Sequence, residues 1–256
     1  MTQTTEQPDG RTYTRPESLC PVHTSYCPGC GHGIALRLIA ELIDEMGLRD
    51  RTIGIAPVGC AVTMYDFLDV DMSEAAHGRP PAVATGIKRA RPDRLVFTYQ
   101  GDGDLAAIGA AETLHCANRG ERITTIFINN TVYGMTGGQM APTTLAGQVT
   151  TTTPSGRDPQ DAGPPLRVCE LLATLDNAVY IERCSVHSPG HVRKTKKAIR
   201  HAFETQLEGR GYSLVEVLSP CAVYAGRVPL TSIKRVGEEL TTIFPLGVFK
   251  DWAEKP

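Results

Sequence analysis

The sequence lacks any apolar run near the roughly 18 residues that a membrane-spanning helix requires, and it lacks a surplus of either charge. Lys and Arg number 26 and Asp and Glu number 28, a formal net charge of −2, which gives no bias toward nucleic acid or a membrane surface. The first fifteen or so residues are polar and have no signal-peptide core. We therefore expect a cytoplasmic protein with no nucleic-acid or membrane partner.

The chain is too short for two full domains. Its 256 residues with 41% hydrophobic content can bury one sizeable core and at most a small lobe. Composition predicts a disordered polar tail at residues 1–15, one binding domain at 16–226, and a C-terminal tail at 227–256 that packs on the domain or on a partner.

Two apolar segments, residues 95–99 and 123–128, have the length and β-branched content of buried strands. Gly101-Asp102-Gly103-Asp104 follows the first, and Asn129-Asn130 follows the second. The helical pattern between them ends near Gly120, as expected for a crossover between parallel strands. This predicts an α/β fold with a doubly wound, mostly parallel sheet and helices on both faces. Its carboxyl edge is where such sheets bind ligands.

The polar residues at that edge predict a metal-diphosphate site. Asp102, the Asn130 amide oxygen and a nearby main-chain carbonyl are hard oxygen ligands that suit Mg²⁺ held jointly with phosphates. Glycines at 101 and 103 allow backbone amides to approach a diphosphate. A loose dinucleotide fingerprint, Gly101-x-Gly103-x-x-Ala106, leaves a nicotinamide site as an alternative, but it explains neither the intervening Asp102 nor the asparagine pair.

Residues 131–165 are rich in Gly, Thr and Pro and have almost no apolar periodicity. Loops of this length inside compact domains are usually functional or disordered. Because the segment begins at the proposed metal site, we predict that it is a lid over cofactor and substrate and a candidate contact for a partner.

The eight cysteines, in a chain expected to stay in a reducing compartment, indicate metal, cluster or core thiols more than disulfides. The four in predicted loops are Cys27, Cys30, Cys60 and Cys221. Their spacing suits either a structural zinc or a 4Fe-4S cluster, and spacing alone does not choose between the two. The three predicted as core thiols are Cys116, Cys169 and Cys184. Cys20 is predicted to bind no metal.

Several motifs recur in the order found in one known family. They are Cys27-Pro28-Gly29-Cys30-Gly31, Val58-Gly59-Cys60, His77-Gly78-Arg79, Ala84-Thr85-Gly86, Gly101-Asp102-Gly103-Asp104, Asn129-Asn130, Tyr133-Gly134-Met135-Thr136-Gly137-Gly138-Gln139 and Ser219-Pro220-Cys221. From about Cys27 to Cys221 the chain resembles the β subunit of 2-oxoacid:ferredoxin oxidoreductases. It is most similar to the branched-chain (2-oxoisovalerate) branch.

The resemblance implies a thiamine diphosphate-binding fold that holds the diphosphate half of the cofactor. It implies Mg²⁺ ligation by Asp102, Asn130 and the Val132 carbonyl, and a 4Fe-4S cluster on the four loop cysteines. The implied cofactor-lining residues are Val58, Gly59, Cys60, Ala61, Gly103, Asp104, Gly134 and Met135. His77 is a candidate for either a diphosphate contact or a loop-shaping hydrogen bond.

The implied reaction is oxidative decarboxylation of a 2-oxoacid to acyl-CoA and CO₂, with electrons passed through the cluster to ferredoxin. The family's glutamate that activates thiamine diphosphate comes from the α subunit, so the isolated chain is expected to be inactive. No residue of this chain is a certain catalytic residue, and His77 is a possible one. The implied partners are the α subunit, further γ and δ subunits where the enzyme has them, ferredoxin, coenzyme A and the 2-oxoacid.

Two positions bear on the choice of substrate. Some relatives that accept 2-oxoglutarate place a lysine where Thr63 or Gly137 stands here, so the resemblance weakly favours an apolar branched-chain substrate, unless the α subunit supplies an arginine. A 2-oxoglutarate- or aryl-2-oxoacid-specific enzyme of the same family is the alternative. A non-catalytic, zinc-stabilised interaction subunit is the alternative from another class.

Overall fold

The computed structural model describes residues 4–6, 12–224 and 228–252. The strands are β1 (Thr4–Glu6), β2 (Thr12–Thr14), β3 (Thr52–Ala56), β4 (Asp71–Glu74), β5 (Leu95–Gly101), β6 (Thr124–Asn129), β7 (Val132–Tyr133), β8 (Gln139–Met140), β9 (Ala178–Ser185), β10 (Tyr212–Leu218) and β11 (Gly247–Asp251). The α-helices are α1 (His32–Glu45), α2 (Met64–Phe67), α3 (Pro80–Ala90), α4 (Ala110–Arg119), α5 (Pro159–Ala162), α6 (Val168–Ala173), α7 (Pro189–Leu207), α8 (Pro229–Arg235) and α9 (Thr241–Ile243). Shorter helical turns at Arg49–Arg51 and Cys60–Thr63, and π-helical segments at Gly103–Ile108 and Val236–Leu240, complete the set.

The core is a seven-stranded sheet in the order β11-β9-β10-β6-β5-β3-β4. Its strands pair in parallel except β11, which runs antiparallel to β9 at one edge. Central strands such as β6 and β10 are buried along their whole length, as expected when helices cover both faces. The predicted α/β class and mostly parallel sheet are confirmed.

Two apolar layers flank the sheet. On one face, α1 and α7 pack through Leu36, Ile39 and Phe203. On the other, α3 and α6 pack through Ala84 and Leu172. Each fully buried large apolar side chain stabilises the fold by about 1.5–3 kcal/mol relative to exposure.

The crossover from β5 to β6 brings the two polar motifs to one edge. The segment after β5 passes through the π-helical turn into α4, which ends at Gly120 with φ of 66°. Gly120 is suited to this left-handed conformation because it has no Cβ. Gly101 then lies beside Ile128 in the register of β5 and β6, so the segments after both strands emerge together.

One strand was not expected from the sequence. The sequence analysis predicts no strand at Asp71–Glu74, yet β4 pairs in parallel with β3 at the sheet edge. The four residues Asp-Met-Ser-Glu show no apolar alternation. Their strand conformation depends on main-chain hydrogen bonds to β3, which a side-chain pattern does not reveal.

The predicted tails are partly covered by the described residues. Within residues 1–15, β1 and β2 pair antiparallel. Within residues 227–256, α8 precedes a segment whose Phe244 is fully buried, and β11 extends the main sheet. The three-part domain division stays a prediction. None of the described helices combines the length and apolarity needed to span a bilayer.

Gln206 joins α7 to the start of the central strands. Its Oε1 accepts a 2.7 Å hydrogen bond from the Val96 amide, and its Nε2 donates to the Val96 carbonyl and the Thr124 hydroxyl, both at 2.8 Å. Pairing of β5 with β6 begins only at Phe97. The Gln206 side chain therefore provides hydrogen bonds to the buried N–H and C=O of Val96, which do not pair with β6.

We expect Gln206→Met to lower the free energy of unfolding by about 2–4 kcal/mol. The change keeps the volume but leaves a buried N–H and C=O without partners, at about 1–3 kcal/mol each. Urea denaturation measures the loss. Lys197→Met, on the exposed side of the same helix, is the matched control, and its free energy of unfolding should stay within about 0.5 kcal/mol of wild type. Equal stabilities for wild type and both variants would show that the hydrogen bonds of Gln206 to Val96 and Thr124 do not stabilise the fold.

Candidate cofactor and metal site

A narrow cleft of about 50 Å³ opens at the carboxyl edge of β3, β5 and β6. The three predicted Mg²⁺ ligands, Asp102, Asn130 and Val132, line it. So do all the residues predicted to contact the cofactor: Val58, Gly59, Cys60, Ala61, Gly103, Asp104, Gly134 and Met135. His77 lines it as well. Residues from four separate segments of the chain therefore converge on one cleft.

Asp102 is a carboxylate held almost out of water, with 2% of its surface exposed. Its Oδ1 accepts from the Gly103 amide at 2.9 Å, and its Oδ2 accepts from the Thr143 hydroxyl at 2.8 Å. Burial raises the pKa of Asp102 to about 6, although hydrogen bonds from Thr143 and nearby backbone amides oppose the shift. Such a group favours either a proton or a cation.

The second half of the predicted metal site is the turn at residues 129–132 after β6 (the metal turn). Thr131 has φ of 69°, the only non-glycine residue with positive φ among the described residues. Such a conformation costs a β-branched residue of order 1–3 kcal/mol and persists only when neighbours enforce it. The Asn129 side chain accepts from the Thr131 amide at 3.2 Å, and the Asn130 side chain accepts from the Val132 amide at 3.2 Å.

Asp104 joins the loops around the cleft. Its Oδ1 accepts from the Gly78 amide at 2.9 Å and the Val58 amide at 3.3 Å, and lies 2.6 Å from Nδ1 of His77. Its Oδ2 accepts from Nε2 of Gln100 at 2.7 Å. His77 thus makes a loop-shaping contact, one of its two predicted roles. A contact between His77 and a diphosphate stays a prediction.

Tyr133 lies directly over Gly103. A Cβ at position 103 would come within 2.1 Å of the Tyr133 ring, and the Tyr133 hydroxyl donates to the Gly103 carbonyl at 3.3 Å. Glycine is therefore required at 103 by this close approach. Tyr133 stands in the quoted Tyr-Gly-Met-Thr motif, but its contact with Gly103 was not expected from the sequence.

The predicted cluster cysteines line a second cavity of about 260 Å³. Cys27, Cys30, Cys60 and Cys221 all contribute to its wall, and Cys60 also lines the cleft. Burial raises the pKa of Cys30 to about 12 and that of Cys60 to about 11, with neighbouring thiols adding to both shifts. Because burial and the neighbouring thiols both disfavour negative charge at Cys30 and Cys60, these two would be thiolates only with a bound metal group.

His32 lies at the junction of the cleft and the cysteine cavity, since it lines both. Its Nδ1 is 2.7 Å from the Tyr99 hydroxyl, and its ring stacks on Tyr26 at 5.0 Å. Burial lowers the pKa of His32 to about 4, so the ring is neutral at physiological pH. Sequence reasoning did not assign His32, although its place directly after the Cys-x-x-Cys-Gly motif was a usable signal.

The predicted lid, residues 131–165, packs against the cleft. Thr143 reaches Asp102, and the Thr144 hydroxyl donates to the Thr131 carbonyl at 2.5 Å. Arg157, only 4% exposed, donates hydrogen bonds to six main-chain carbonyls of the segment, those of Ala141, Pro142, Thr144, Ala162, Gly163 and Pro164. One guanidinium thereby fixes the loop that contacts the metal turn.

The donor sets suit two different groups. In the part of the chain that the structure describes, no three His, Cys, Asp or Glu side chains are arranged to hold a single metal ion. At Asp102, one carboxylate, one amide oxygen and one carbonyl form a partial oxygen set that Mg²⁺ would complete with phosphate oxygens and water. At the cysteines, a cavity several times the roughly 30 Å³ of a water molecule has room for a cluster. The other three cysteines, Cys116, Cys169 and Cys184, are buried as predicted.

Comparison with known proteins supplies independent findings. The family model for the C-terminal TPP binding domain of thiamine pyrophosphate enzymes matches residues 58–217. Ketoisovalerate oxidoreductase subunit VorA of Methanothermobacter thermautotrophicus is 51% identical over 239 residues, which are 93% of this chain and 50% of that protein. The chain thus spans about half the length of this relative.

Two further relatives are similar to this chain over most of the length of both aligned proteins. 2-Oxoglutarate synthase subunit KorB of Archaeoglobus fulgidus is 36% identical over 248 residues, 93% of this chain and 87% of that protein. A solved chain of 2-oxoglutarate:ferredoxin oxidoreductase from Magnetococcus marinus, with 2-oxoglutarate, coenzyme A and succinyl-CoA bound, superposes with a TM-score of 0.75 at 26% identity, covering 92% of this chain and 84% of that one.

We expect Asp102→Asn to stabilise the metal-free protein at pH 8. The pKa of Asp102, raised by burial to about 6, means that the folded state binds more protons than the unfolded state between about pH 4 and 6. Ionisation of Asp102 therefore lowers the free energy of unfolding as pH rises through this window, by about 3 kcal/mol at most. Asparagine fits because Thr143 can reverse its hydroxyl to accept.

The measurement is urea unfolding with chelator at pH 4 and pH 8. Asp102→Asn should gain roughly 2 kcal/mol over wild type at pH 8 and almost nothing at pH 4. Asp104→Asn is the matched control: that carboxylate is as buried but accepts three hydrogen bonds and lies 2.6 Å from Nδ1 of His77, so its replacement should lower stability. A loss at both positions would contradict the account of Asp102.

Proposed function

Because the chain belongs to the 2-oxoacid:ferredoxin oxidoreductases, we propose that it is the subunit that holds the diphosphate of thiamine diphosphate in such an enzyme. The proposed reaction is oxidative decarboxylation of a 2-oxoacid to acyl-CoA and CO₂, with electrons passed to ferredoxin. The observation that carries this proposal is the buried Asp102 beside Asn130 and Val132 in a cleft at the carboxyl edge of the sheet.

Asp102, Asn130 and the Val132 carbonyl are proposed to hold Mg²⁺ against the diphosphate. Thiamine diphosphate, when bound, supplies the carbon nucleophile and electron sink for decarboxylation. Gly59, in the loop that begins at Val58, would let the backbone come close to the phosphates because it carries no Cβ. Gly103 also lines the cleft, but the absence of its Cβ makes room for the Tyr133 ring. The remaining proposed lining residues are Cys60, Ala61, Asp104, Gly134 and Met135.

Other residues of the chain shape this cleft. The hydrogen bonds of Asp104 to Val58, His77 and Gly78 hold two loops in place. The Thr143 hydroxyl stabilises the ionised Asp102 that the metal needs. Segment 131–165, fixed by Arg157, would limit water at the metal turn. The proposed role of His77 is therefore to shape the diphosphate-binding loop.

We propose that Cys27, Cys30, Cys60 and Cys221 hold a 4Fe-4S cluster. The cluster, when bound, supplies a one-electron acceptor next to the cofactor cleft. Cys60 lines both cavities, so cluster and cofactor would be neighbours. His32, neutral and buried between them, excludes water from the region through its contacts with Tyr26 and Tyr99.

The proposed substrate is a branched-chain 2-oxoacid such as 2-oxoisovalerate. Support comes from the higher identity to the ketoisovalerate relative, 51%, than to the 2-oxoglutarate relative, 36%. Thr63, on the wall of the cysteine cavity, and Gly137 offer no cation for a distal carboxylate.

The chain is proposed to work with an α subunit, with γ and δ subunits where the enzyme has them, and with coenzyme A and ferredoxin in the cytoplasm. Among the described residues that line the cleft there is no glutamate. The glutamate that activates the cofactor would then come from the α subunit, as the family resemblance implies.

The proposal is tested by analysing the chain after anaerobic purification with its co-expressed partner subunits. We expect about four irons and matching acid-labile sulfide per chain, with stoichiometric magnesium and thiamine diphosphate. Cys30→Ser should lose the iron, whereas Cys20→Ser, the control outside the four, should retain it. Turnover of 2-oxoisovalerate should exceed that of 2-oxoglutarate. One zinc per chain without thiamine diphosphate would contradict the proposal and favour a zinc-stabilised interaction subunit.

A further inference from the structure

A fully buried ion pair lies behind the metal turn, at residues to which the proposed function gives no role. Glu216, in the middle of β10, and Arg183, in β9, both have 0% exposure. The Glu216 carboxylate accepts from Nε of Arg183 at 2.8 Å. Charged residues are almost never fully buried without partners, and such pairs rarely add net stability over apolar residues. The pair therefore calls for an explanation other than core packing.

One side of Glu216 leads to the metal turn. Its Oε1 accepts from Nδ2 of Asn129 at 2.7 Å, and Oδ1 of Asn129 accepts from the Thr131 amide at 3.2 Å. Because Asn129 uses its amide nitrogen toward the carboxylate and its oxygen toward the turn, Glu216 fixes which way this side chain points. Asn129 in turn holds Thr131 at φ of 69°, and this bend sets the positions of Asn130 and Val132.

The other side of Glu216 leads to the C-terminal segment. The Arg183 guanidinium makes a two-pronged contact with Glu170, at 3.0 and 2.6 Å, and donates to the Pro245 carbonyl at 3.2 Å. It lies 5.4 Å from the centre of the Phe244 ring and 4.8 Å from that of Phe249. Segment 244–249 therefore covers the ion pair and keeps water from Glu216.

We infer that Glu216 is a positioning residue for the cation site, acting through Asn129 on the turn that carries Asn130 and Val132, with Arg183 holding Glu216 in place. This inference rests on the proposed Mg²⁺-diphosphate site. A charged acceptor makes a stronger and more directional hydrogen bond than a neutral one. Partners that orient metal ligands commonly change metal affinity roughly 10- to 100-fold when removed. Glu216 acts one residue further away, so the lower end of that range is expected.

The test measures Mn²⁺ binding, as a stand-in for Mg²⁺, by the electron paramagnetic resonance signal of the unbound ion. The complete purified complex is stripped with chelator and titrated at saturating thiamine diphosphate. We expect Glu216→Gln to weaken Mn²⁺ binding roughly tenfold, and Asn129→Ala to do the same. Both substitutions remove the same hydrogen bond, between Glu216 and Asn129. The double variant should therefore bind Mn²⁺ no more weakly than the single variant with the lower affinity.

The matched control is Val215→Ala, the neighbouring residue of β10 whose side chain points to the opposite face of the sheet. It should lower the melting temperature while leaving the Mn²⁺ dissociation constant within twofold of wild type. A purely structural role for Glu216 predicts the same behaviour for Glu216→Gln. Normal Mn²⁺ binding by Glu216→Gln and Asn129→Ala would overturn the inference.

A milder variant covers the case in which Glu216→Gln does not fold. Glu170→Gln weakens the ion pair with Arg183 at a side chain that is 29% exposed. It should weaken Mn²⁺ binding about threefold, and an unchanged Mn²⁺ dissociation constant would overturn the inference. If the wild-type complex itself binds no Mn²⁺ with thiamine diphosphate, the proposed function fails. If the wild-type complex binds Mn²⁺ and the variants bind it equally well, only the inference about Glu216 fails.

Discussion

The desolvated carboxylate of Asp102 is the constraint on which the cleft depends. It sits at the end of a central strand, where no lysine or arginine in the described structure pairs with it by hydrogen bond or salt bridge, and burial raises its pKa to about 6. A fold selected for stability alone would not keep such a group. A divalent cation and the phosphates of a cofactor, as proposed for this cleft, would offset the cost of burying this charge. The expected loss of stability without metal and the proposed affinity for metal would then have one cause.

Three polar networks surround this carboxylate and come from distant parts of the chain. Asp104 ties the loops after β3 and before α3 to the end of β5. Arg157 fixes the long loop whose Thr143 reaches Asp102. Glu216 supports the turn after β6 through Asn129. Each uses a buried charge to set loop geometry, because main-chain ladders end where the strands end and cannot position the loops beyond them.

Much of the fold and the site's location could be predicted from the sequence. The apolar runs before Asp102 and Asn130 predicted two parallel neighbours, and their register confirms it. The predicted Mg²⁺ ligands lie just after strand ends, which chain order reveals. Thr143 and Arg157 were missed because they act across loops without periodicity. The Glu216–Arg183 pair was missed because its role depends on contacts between strands, although a lone Glu inside the apolar run Leu214-Val215-Glu216-Val217-Leu218 was a signal. β4 was missed because its four residues show no apolar alternation.

The most direct test of the central claim is anomalous X-ray diffraction from crystals of the complete complex grown with thiamine diphosphate and Mn²⁺. The account predicts a manganese peak bounded by the Asp102 carboxylate, the Asn130 amide oxygen and the Val132 carbonyl, with iron peaks enclosed by Cys27, Cys30, Cys60 and Cys221. A manganese peak elsewhere on this chain, or bound cofactor whose metal does not contact Asp102, would contradict it.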